Sequence, residues 1–355
     1  MRVGLTLYGS IDERSGGFRY DRKLVEGLRR AGDAIELVEL PWRAYHRGLL
    51  DNGSRTLRNR LHVDVDVMLQ DELAHPSLVH TNRQLPYPVV SIVHHLRASE
   101  PRWLAPLYRT IERRYLATVD GVVCNSAVTR AVVTDLGVDP DRTVVAPPAG
   151  DRFDPSVDAE TIDSRARAEP LRVIFVGNIA PRKGLDTLVE GLAAAELDAE
   201  LTVVGRPVDE EYAASVRRSV RSHGLEDRVS MTGELADEEL EAALRSSHVL
   251  AVPSRYEGFG IVYLEGMSFG LPALASRAGG ATDVVTDGET GLLVDPDDPA
   301  AVAAALRTLA NDPDRLAAMG RAARRRYERH PGWEETTARV RRLLADVAPT
   351  AEVVT

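Results

Sequence analysis

Short apolar runs alternate with amphipathic stretches along nearly the whole chain, and that alternation predicts the architecture. In the first part the runs are Val3 to Tyr8, Ile35 to Leu40, Pro88 to Val93, Gly121 to Cys124 and Val144 to Ala146. They are rich in β-branched residues and bounded by glycine, proline or polar residues, the pattern of buried strands. Between the first two, Leu24, Val25, Leu28 and Ala31 recur at helical spacing over Tyr20 to Ala31, and Gly32 ends the segment. Strand, helix, strand is a right-handed βαβ start. The pattern resumes with Leu171 to Val176, Leu201 to Gly205, Val229 to Gly233, Val249 to Val252, Pro272 to Ser276 and Leu292 to Val294. Helices are expected from Pro299 and Pro313, with a final amphipathic helix over Trp333 to Val347. Two such arrays predict an α/β protein with two doubly wound, Rossmann-like domains. Asp154 to Glu169 is polar, with few apolar positions, and reads as the linker between them. The expected division is residues 1–160, residues 170–330 and a closing helix at 331–348.

Several segments of the first part carry polar chemistry outside this frame. Trp42 to Arg60 is irregular and holds Arg43, Arg47, Arg55, Arg58 and Arg60 against Asp51 alone. It is either a solvated basic loop or a surface for an anionic acceptor or a lipid headgroup. Val63 to Val67 contains a D-x-D (Asp64, Asp66), but its alternation reads better as a half-exposed strand with both aspartates on one face than as a metal site. Pro101 to Leu116 is expected to form a basic amphipathic helix with Arg102, Arg109, Arg113 and Arg114, and Ser126 reads as a helix N-cap. His94 and His95 follow the run that ends at Val93. Parallel sheets place ligands at the carboxyl ends of strands, although a histidine there is more often a hydrogen-bonded turn residue.

Composition narrows the class. With 355 residues and 44% apolar content, the chain can bury two cores of ordinary size. No stretch reaches about 18 uncharged apolar residues, and the first residues lack a signal-peptide pattern, so no membrane span or export is expected. The single cysteine, Cys124, excludes an intrachain disulfide and suits a reducing cytoplasm. No C-x-x-C or H-E-x-x-H spacing is present, and no metal is expected. The net charge of -10 is uneven: residues 1–150 carry 20 basic against 18 acidic side chains, residues 151–355 carry 24 against 36. An acidic chain without a recognition motif is a poor nucleic-acid binder.

The candidate site lies in Pro253 to Gly291. Gly258-Phe259-Gly260 follows a strand and opens an amphipathic helix expected from about Ile261 to Phe269, and a Gly279-Gly280 turn follows the next strand. Free amides at such a helix start favour a phosphate, so Phe259, Gly260 and Ile261 are candidate phosphate contacts. Glu257 stands in the loop and Glu265 eight residues later on the helix. That separation is about 12 Å of helical rise, so the two hold different parts of an extended ligand rather than one bond. The bland reading makes Glu257 a helix cap and leaves Glu265 solvated. A second loop, Asn178 to Gly184, carries Arg182 and Lys183 ahead of a helix near Leu185, which aims the lysine at the same kind of ligand. Lys183 is one of only two lysines, Lys23 being the other.

EGFGIVYLE, GLPALAS and GGATDVV together resemble the donor-site signature of family 4 retaining glycosyltransferases, E-x7-E, G-x-P-V-x-x-S/T and G-G-x-x-E. The resemblance implies the GT-B fold, with two Rossmann-like domains facing across a cleft and the last helix crossing back to the first domain. It implies transfer of a hexosyl unit from a UDP- or GDP-linked sugar to a hydroxyl acceptor, without a metal or other cofactor. Glu257 would then contact the donor sugar beside the reacting carbon and Glu265 the ribose. Lys183 would neutralise the diphosphate, and Gly17 in the Gly16-Gly17 segment would close over it. VVSIVHH resembles the family's strand ending in a histidine that touches the sugar or pyrophosphate, which selects His94, with His95 second. Asn178 replaces the arginine the family carries ahead of its lysine, for which Arg182 or Arg206 could compensate, and Asp283 replaces its third glutamate. The acceptor side is loosely matched, so anionic, lipid-linked or glycan acceptors all fit, with cytoplasmic location at or near the inner membrane face. A sugar phosphorylase on the same scaffold shares E-x7-E, and a non-catalytic sugar-nucleotide binder is a further alternative. A two-domain oxidoreductase is disfavoured, since LYGSIDERSGG lacks G-x-G-x-x-G.

Overall fold

The computed structural model describes residues 1–13, 15–99 and 104–348. It divides into two units, Met1–Ala149 with the chain from Pro331 onward, and Gly150–His330. The first holds strands β1 (Arg2–Tyr8), β2 (Ala34–Leu40), β3 (Val67–Asp71), β4 (Val89–Val93), β5 (Gly121–Cys124) and β6 (Thr143–Val145), in the order β2-β1-β3-β4-β5-β6. The second holds β7 (Leu171–Val176), β8 (Ala199–Val204), β9 (Val229–Gly233), β10 (Val249–Val252), β11 (Ala273–Ser276) and β12 (Gly291–Val294), in the order β12-β11-β10-β7-β8-β9. Every pairing is parallel. Helices lie between the strands, as crossover connections require. Both units are Rossmann-like.

The side-chain period of two sorts the first unit's core onto the two faces of its sheet. Leu5, Leu69 and Ile92 pack with Leu24 and Leu28 of helix Gly16–Arg30 and with Val340 and Leu344 of helix Trp333–Val347. Met68, Val93 and Val122 face the other way, toward Tyr115 and Val133. The closing helix thus belongs to the first unit. It approaches closely enough that a Cβ on Gly27 would lie 2.2 Å from Thr337 Oγ1.

Several expectations need correcting. The polar stretch taken for a linker contains helix Ala159–Ala166, and residues from Gly150 belong to the second unit. Ile162 and Ala166, four apart, are both buried and suffice to seat that short helix. The strand expected at Val63 to Val67 begins only at Val67. Arg2 takes both aspartates ahead of it: its backbone N–H and guanidinium bond Asp66, and its Nη1 also bonds Asp64. Trp42 to Arg60 is not irregular but holds helices Tyr45–Asp51 and Arg55–Leu61. The helix expected from Tyr20 starts at Gly16, where Ser15 Oγ accepts from Phe18 N–H, so the glycine pair forms the first turn instead of a loop. Helix Ile261–Ser268 is buried from Val262 to Ser268 rather than amphipathic. Pro101 and Arg102 lie outside the described residues; the helix is described as Ala105–Leu116. Among the described residues no helix is long and apolar enough to cross a membrane.

Candidate active site

Strand order reverses in the second unit between β7 and β10, which are neighbours although they are not consecutive in sequence. Loops leaving the carboxyl ends of such a pair diverge and leave room for a ligand. Here they are the loop after Val176, which carries Arg182 and Lys183, and the loop after Val252, which carries Glu257. They are tied together by backbone: Arg255 N–H donates to the Arg182 carbonyl at 2.8 Å. Gly184 has φ +66, and a Cβ there would meet the Pro253 carbonyl oxygen at 2.1 Å. Arg255 reinforces the join through its guanidinium, 2.8 Å from Asp186 and 2.6 Å from Asp297.

Glu257 is where these loops converge. Its Oε2 accepts from Lys183 Nζ at 2.8 Å, from Ser254 Oγ at 3.0 Å and from Arg182 Nη1 at 3.5 Å. Burial alone would push this carboxyl up. The Lys183 and Arg182 charges and the hydrogen bonds from Lys183 and Ser254 outweigh it and hold the group at about 2. Burial pulls Lys183 below the ordinary lysine value, partly opposed by Glu257. The two groups form a salt bridge. Arg182 lies on the same carboxylate, so a second cation is present at the site even though Asn178 stands where the family has arginine.

The Gly279-Gly280 turn is fastened to the Glu257 loop from the other side. Glu257 N–H donates to the Ala278 carbonyl at 3.3 Å, and Gly280 N–H to the Glu257 carbonyl at 2.7 Å. Gly260, at φ +90, caps helix Ile261–Ser268 without a side-chain bond, which leaves the first amides of that helix beside the cluster. Phe259 is buried against the His330 ring, 5.8 Å between centroids, so its side chain is structural and its backbone carries the helix start. Ile261 is half-buried at the first helical position. Glu265 is buried too, with Arg152 Nη1 3.9 Å from its carboxylate. The bland reading of these two glutamates, cap and solvated residue, does not hold.

In the first unit, His94 follows β4 and its ring faces helix Gly16–Arg30. A Cβ on Gly17 would lie 3.3 Å from His94 Cδ2, and Asp21, one turn further on, stands 3.3 Å from His94 Nε2. The Gly17 amide has no acceptor among the described residues. Tyr20 packs edge-on to the imidazole at 5.0 Å. The Glu72 carboxylate accepts from the amides of His94 and His95 at 3.0 and 3.2 Å and so fixes the turn. Asp71 completes the group: one ligand atom each from Asp21, Asp71 and His94 fall within 4.8 Å of one another. That gathering has the spacing of a cation site. Both aspartates are wholly buried with Oδ2 unpartnered, however, and a proton shared by two neighbouring carboxyls fills the same role.

The structure therefore gathers Arg182, Lys183, Glu257, Gly260 and Ile261 at one point of the second unit, with Glu265 on the helix behind them. Gly17 and His94 meet in the first. Ser254, Asp21, Asp71 and Glu72 were not anticipated. Asp21 was within reach, since it sits four residues after Gly17 and shares its helix face.

Known proteins resemble the chain in sequence and in fold. Residues 157–326 match the sequence model of the family described as Glycosyl transferases group 1, and residues 14–151 match that of Glycosyltransferase Family 4. A D-inositol 3-phosphate glycosyltransferase from Kineococcus radiotolerans is 38% identical over 67% of this chain and 60% of its own length. A GDP-mannose-dependent alpha-(1-6)-phosphatidylinositol monomannoside mannosyltransferase from Mycolicibacterium smegmatis is 33% identical over 72% of this chain and 70% of its own. Among solved structures, sucrose-phosphate synthase from Thermosynechococcus elongatus superposes with a TM-score of 0.81 at 22% identity, covering 97% of this chain and 98% of that one. HepE from Anabaena, in complex with UDP and glucose, gives 0.80 at 17% identity over 98% and 100%. Matched in both halves and aligned to a relative at 33% identity over 70% of that relative's length, the chain belongs to the group 1, family 4 glycosyltransferases.

Proposed function

We propose that this chain is a retaining hexosyltransferase that moves a sugar from a UDP- or GDP-linked donor to a hydroxyl on an anionic, inositol- or lipid-linked acceptor. The observation that carries the reading is the Lys183–Glu257 pair, held at the strand-order reversal of the second unit beside the helix start at Gly260. A nucleoside diphosphate is a dianion, and Lys183, Arg182 and the free helix amides offer it charge and hydrogen bonds without a metal ion. As the bond between the anomeric carbon and the diphosphate oxygen breaks, that oxygen keeps the electron pair and Lys183 stabilises it. The acceptor oxygen bonds to the same face of the carbon, and its proton passes to the departing phosphate oxygen. Glu257, ionised throughout, accepts from sugar hydroxyls and orients the ring. Glu265 has the burial and the place to take the ribose.

The names of the relatives support an anionic acceptor: one acts on an inositol phosphate, another on a phosphatidylinositol mannoside. The exposed arginines of the two helices over residues 45–61, Arg47, Arg55 and Arg60 among them, suit such a partner. The test is thermal shift against UDP, GDP, ADP, NAD, NADP and several sugar nucleotides, followed by transfer assays with inositol phosphates. A ligand at about 100 times its Kd adds roughly 2.7 kcal/mol of stability. Stabilisation by UDP or GDP species is the expected result. Stabilisation by NAD alone overturns the reading, and turnover that depends on inorganic phosphate replaces it with a phosphorylase.

A further inference from the structure

Asp21 and Asp71 are wholly buried carboxyl groups of the first unit, each at 0% exposure. Asp71 Oδ1 accepts from Leu73 N–H at 2.7 Å, and Asp21 Oδ1 faces His94 Nε2 at 3.3 Å. That leaves Oδ2 of each without a partner other than the opposite carboxyl. Two carboxylates cannot share a buried site unless a proton lies between them. Burial accordingly raises both groups to about 7, and the Arg22 charge only partly opposes it at Asp21. Glu72, next along the chain, is engaged with the His94 and His95 amides and is not free to serve this pair.

We propose that Asp71, Asp21 and His94 form a hydrogen-bonded relay in which Asp71 holds a proton and donates to Asp21. Asp21 accepts from Nε2–H of His94, and Nδ1 is left as the acceptor for a substrate hydroxyl. A histidine's working nitrogen is set by the bond the other nitrogen makes. Nδ1 of His94 has no partner among the described residues, and 13% of the side chain remains exposed. Tyr20, edge-on to the ring, blocks rotation, and Gly17 keeps the opposite approach clear. Asp21 and Asp71 are positioning residues in this scheme, since neither touches the substrate. The use made of Nδ1 rests on the transferase reading; the relay itself does not.

The experiment is long-range ¹H–¹⁵N correlation on protein labelled in its nine histidines, with His94→Gln used to identify the signal. His94 is expected as the Nε2–H tautomer at neutral pH. Asp21→Ala should give a mixture of tautomers and lower kcat about tenfold while KM for the sugar nucleotide changes little, as for loss of one buried hydrogen bond to a charged group. Asp71→Asn should preserve the tautomer, because the amide N–H donates where the carboxyl did. An Nδ1–H tautomer in the wild-type protein overturns the proposal, as does an unchanged His94 signal in Asp21→Ala. One tightly bound metal ion per chain by elemental analysis also overturns it. Should Asp21→Ala fail to fold, the wild-type and Asp71→Asn spectra decide. An inactive wild-type protein whose His94 is still the Nε2–H tautomer supports the relay and overturns the transferase reading alone.

Discussion

A side chain on Gly279 would place its first carbon 2.1 Å from the carbonyl oxygen of Glu257. The same holds one residue on, where Gly280 would meet the Gly258 carbonyl at 2.1 Å. The two glycine motifs of the donor signature are therefore two sides of one backbone contact. What they achieve is the placement of Glu257, whose own N–H and C=O are both taken by the turn.

Gly279→Ala should consequently damage the site before it damages the sheet. At φ +82 the alanine is strained by about 1–3 kcal/mol, and relieving the contact must move the Glu257 loop. The expected outcome is a lower melting temperature together with loss of the stabilisation given by the nucleotide. A variant that binds nucleotide as the parent does would show that the turn is not what positions Glu257.

Truncating the ion pair separates electrostatics from binding. Glu257→Ala and Lys183→Ala should each lower turnover by about two orders of magnitude or more, the scale on which a lost preorganised charge contact acts. Lys183→Ala should also weaken nucleotide affinity, since it removes a phosphate contact. Glu257→Ala should affect kcat more than nucleotide affinity, because Arg182 and Lys183 remain. Steady-state kinetics with nucleotide titration distinguishes the two, and near-normal rates in either variant would remove that residue's assignment.

Where glycine or proline punctuates the sequence, local signals located the elements closely. Helices begin at Pro299, Pro313 and Trp333, and strands occupy Gly121–Cys124 and Val249–Val252, as the pattern predicts. Failures came where tertiary contact overrode local pattern. Val63 to Val67 alternates like a strand, yet Arg2 draws Asp64 and Asp66 to itself, and pairing begins only at Val67 with β1 and at Met68 with β4. That shift hid Asp71, which proves to be the last residue of the strand beside His94. Glu257 and Lys183 could be singled out as site residues, but their 2.8 Å contact lies 74 residues apart in sequence and no local period encodes it. The helix Ile261–Ser268 reads as amphipathic in sequence because Glu265 looks like a solvent-facing residue, but the surrounding fold covers it.

The D-x-D and the proposed metal independence stand or fall together. With Arg2 holding Asp66 through backbone and side chain, Asp64→Asn and Asp66→Asn should leave transfer rates unchanged. Dialysis against chelator should likewise leave activity intact. Strong inhibition by chelator, reversed by Mn²⁺ and lost in these variants, would revive a metal role for the motif.

Acid should reveal the strength of the Lys183–Glu257 contact. The Glu257 carboxyl lies at about 2 in the folded protein against an ordinary 4.5, so folding favours its ionised form. A depressed carboxyl stabilises the fold fully above its unfolded value and loses that contribution as pH falls through the folded one. A shift of this size corresponds to about 3 kcal/mol. Lys183, whose pKa burial lowers, is present in both the wild-type protein and Glu257→Gln. Chemical denaturation of the wild-type protein and of Glu257→Gln at a series of pH values should give a stability difference that is constant from about pH 7 to 5 and shrinks towards pH 2. Gln cannot titrate, so the curvature belongs to the one carboxyl. A difference that stays flat to pH 2 would mean that Glu257 is not held ionised by Lys183 and Arg182.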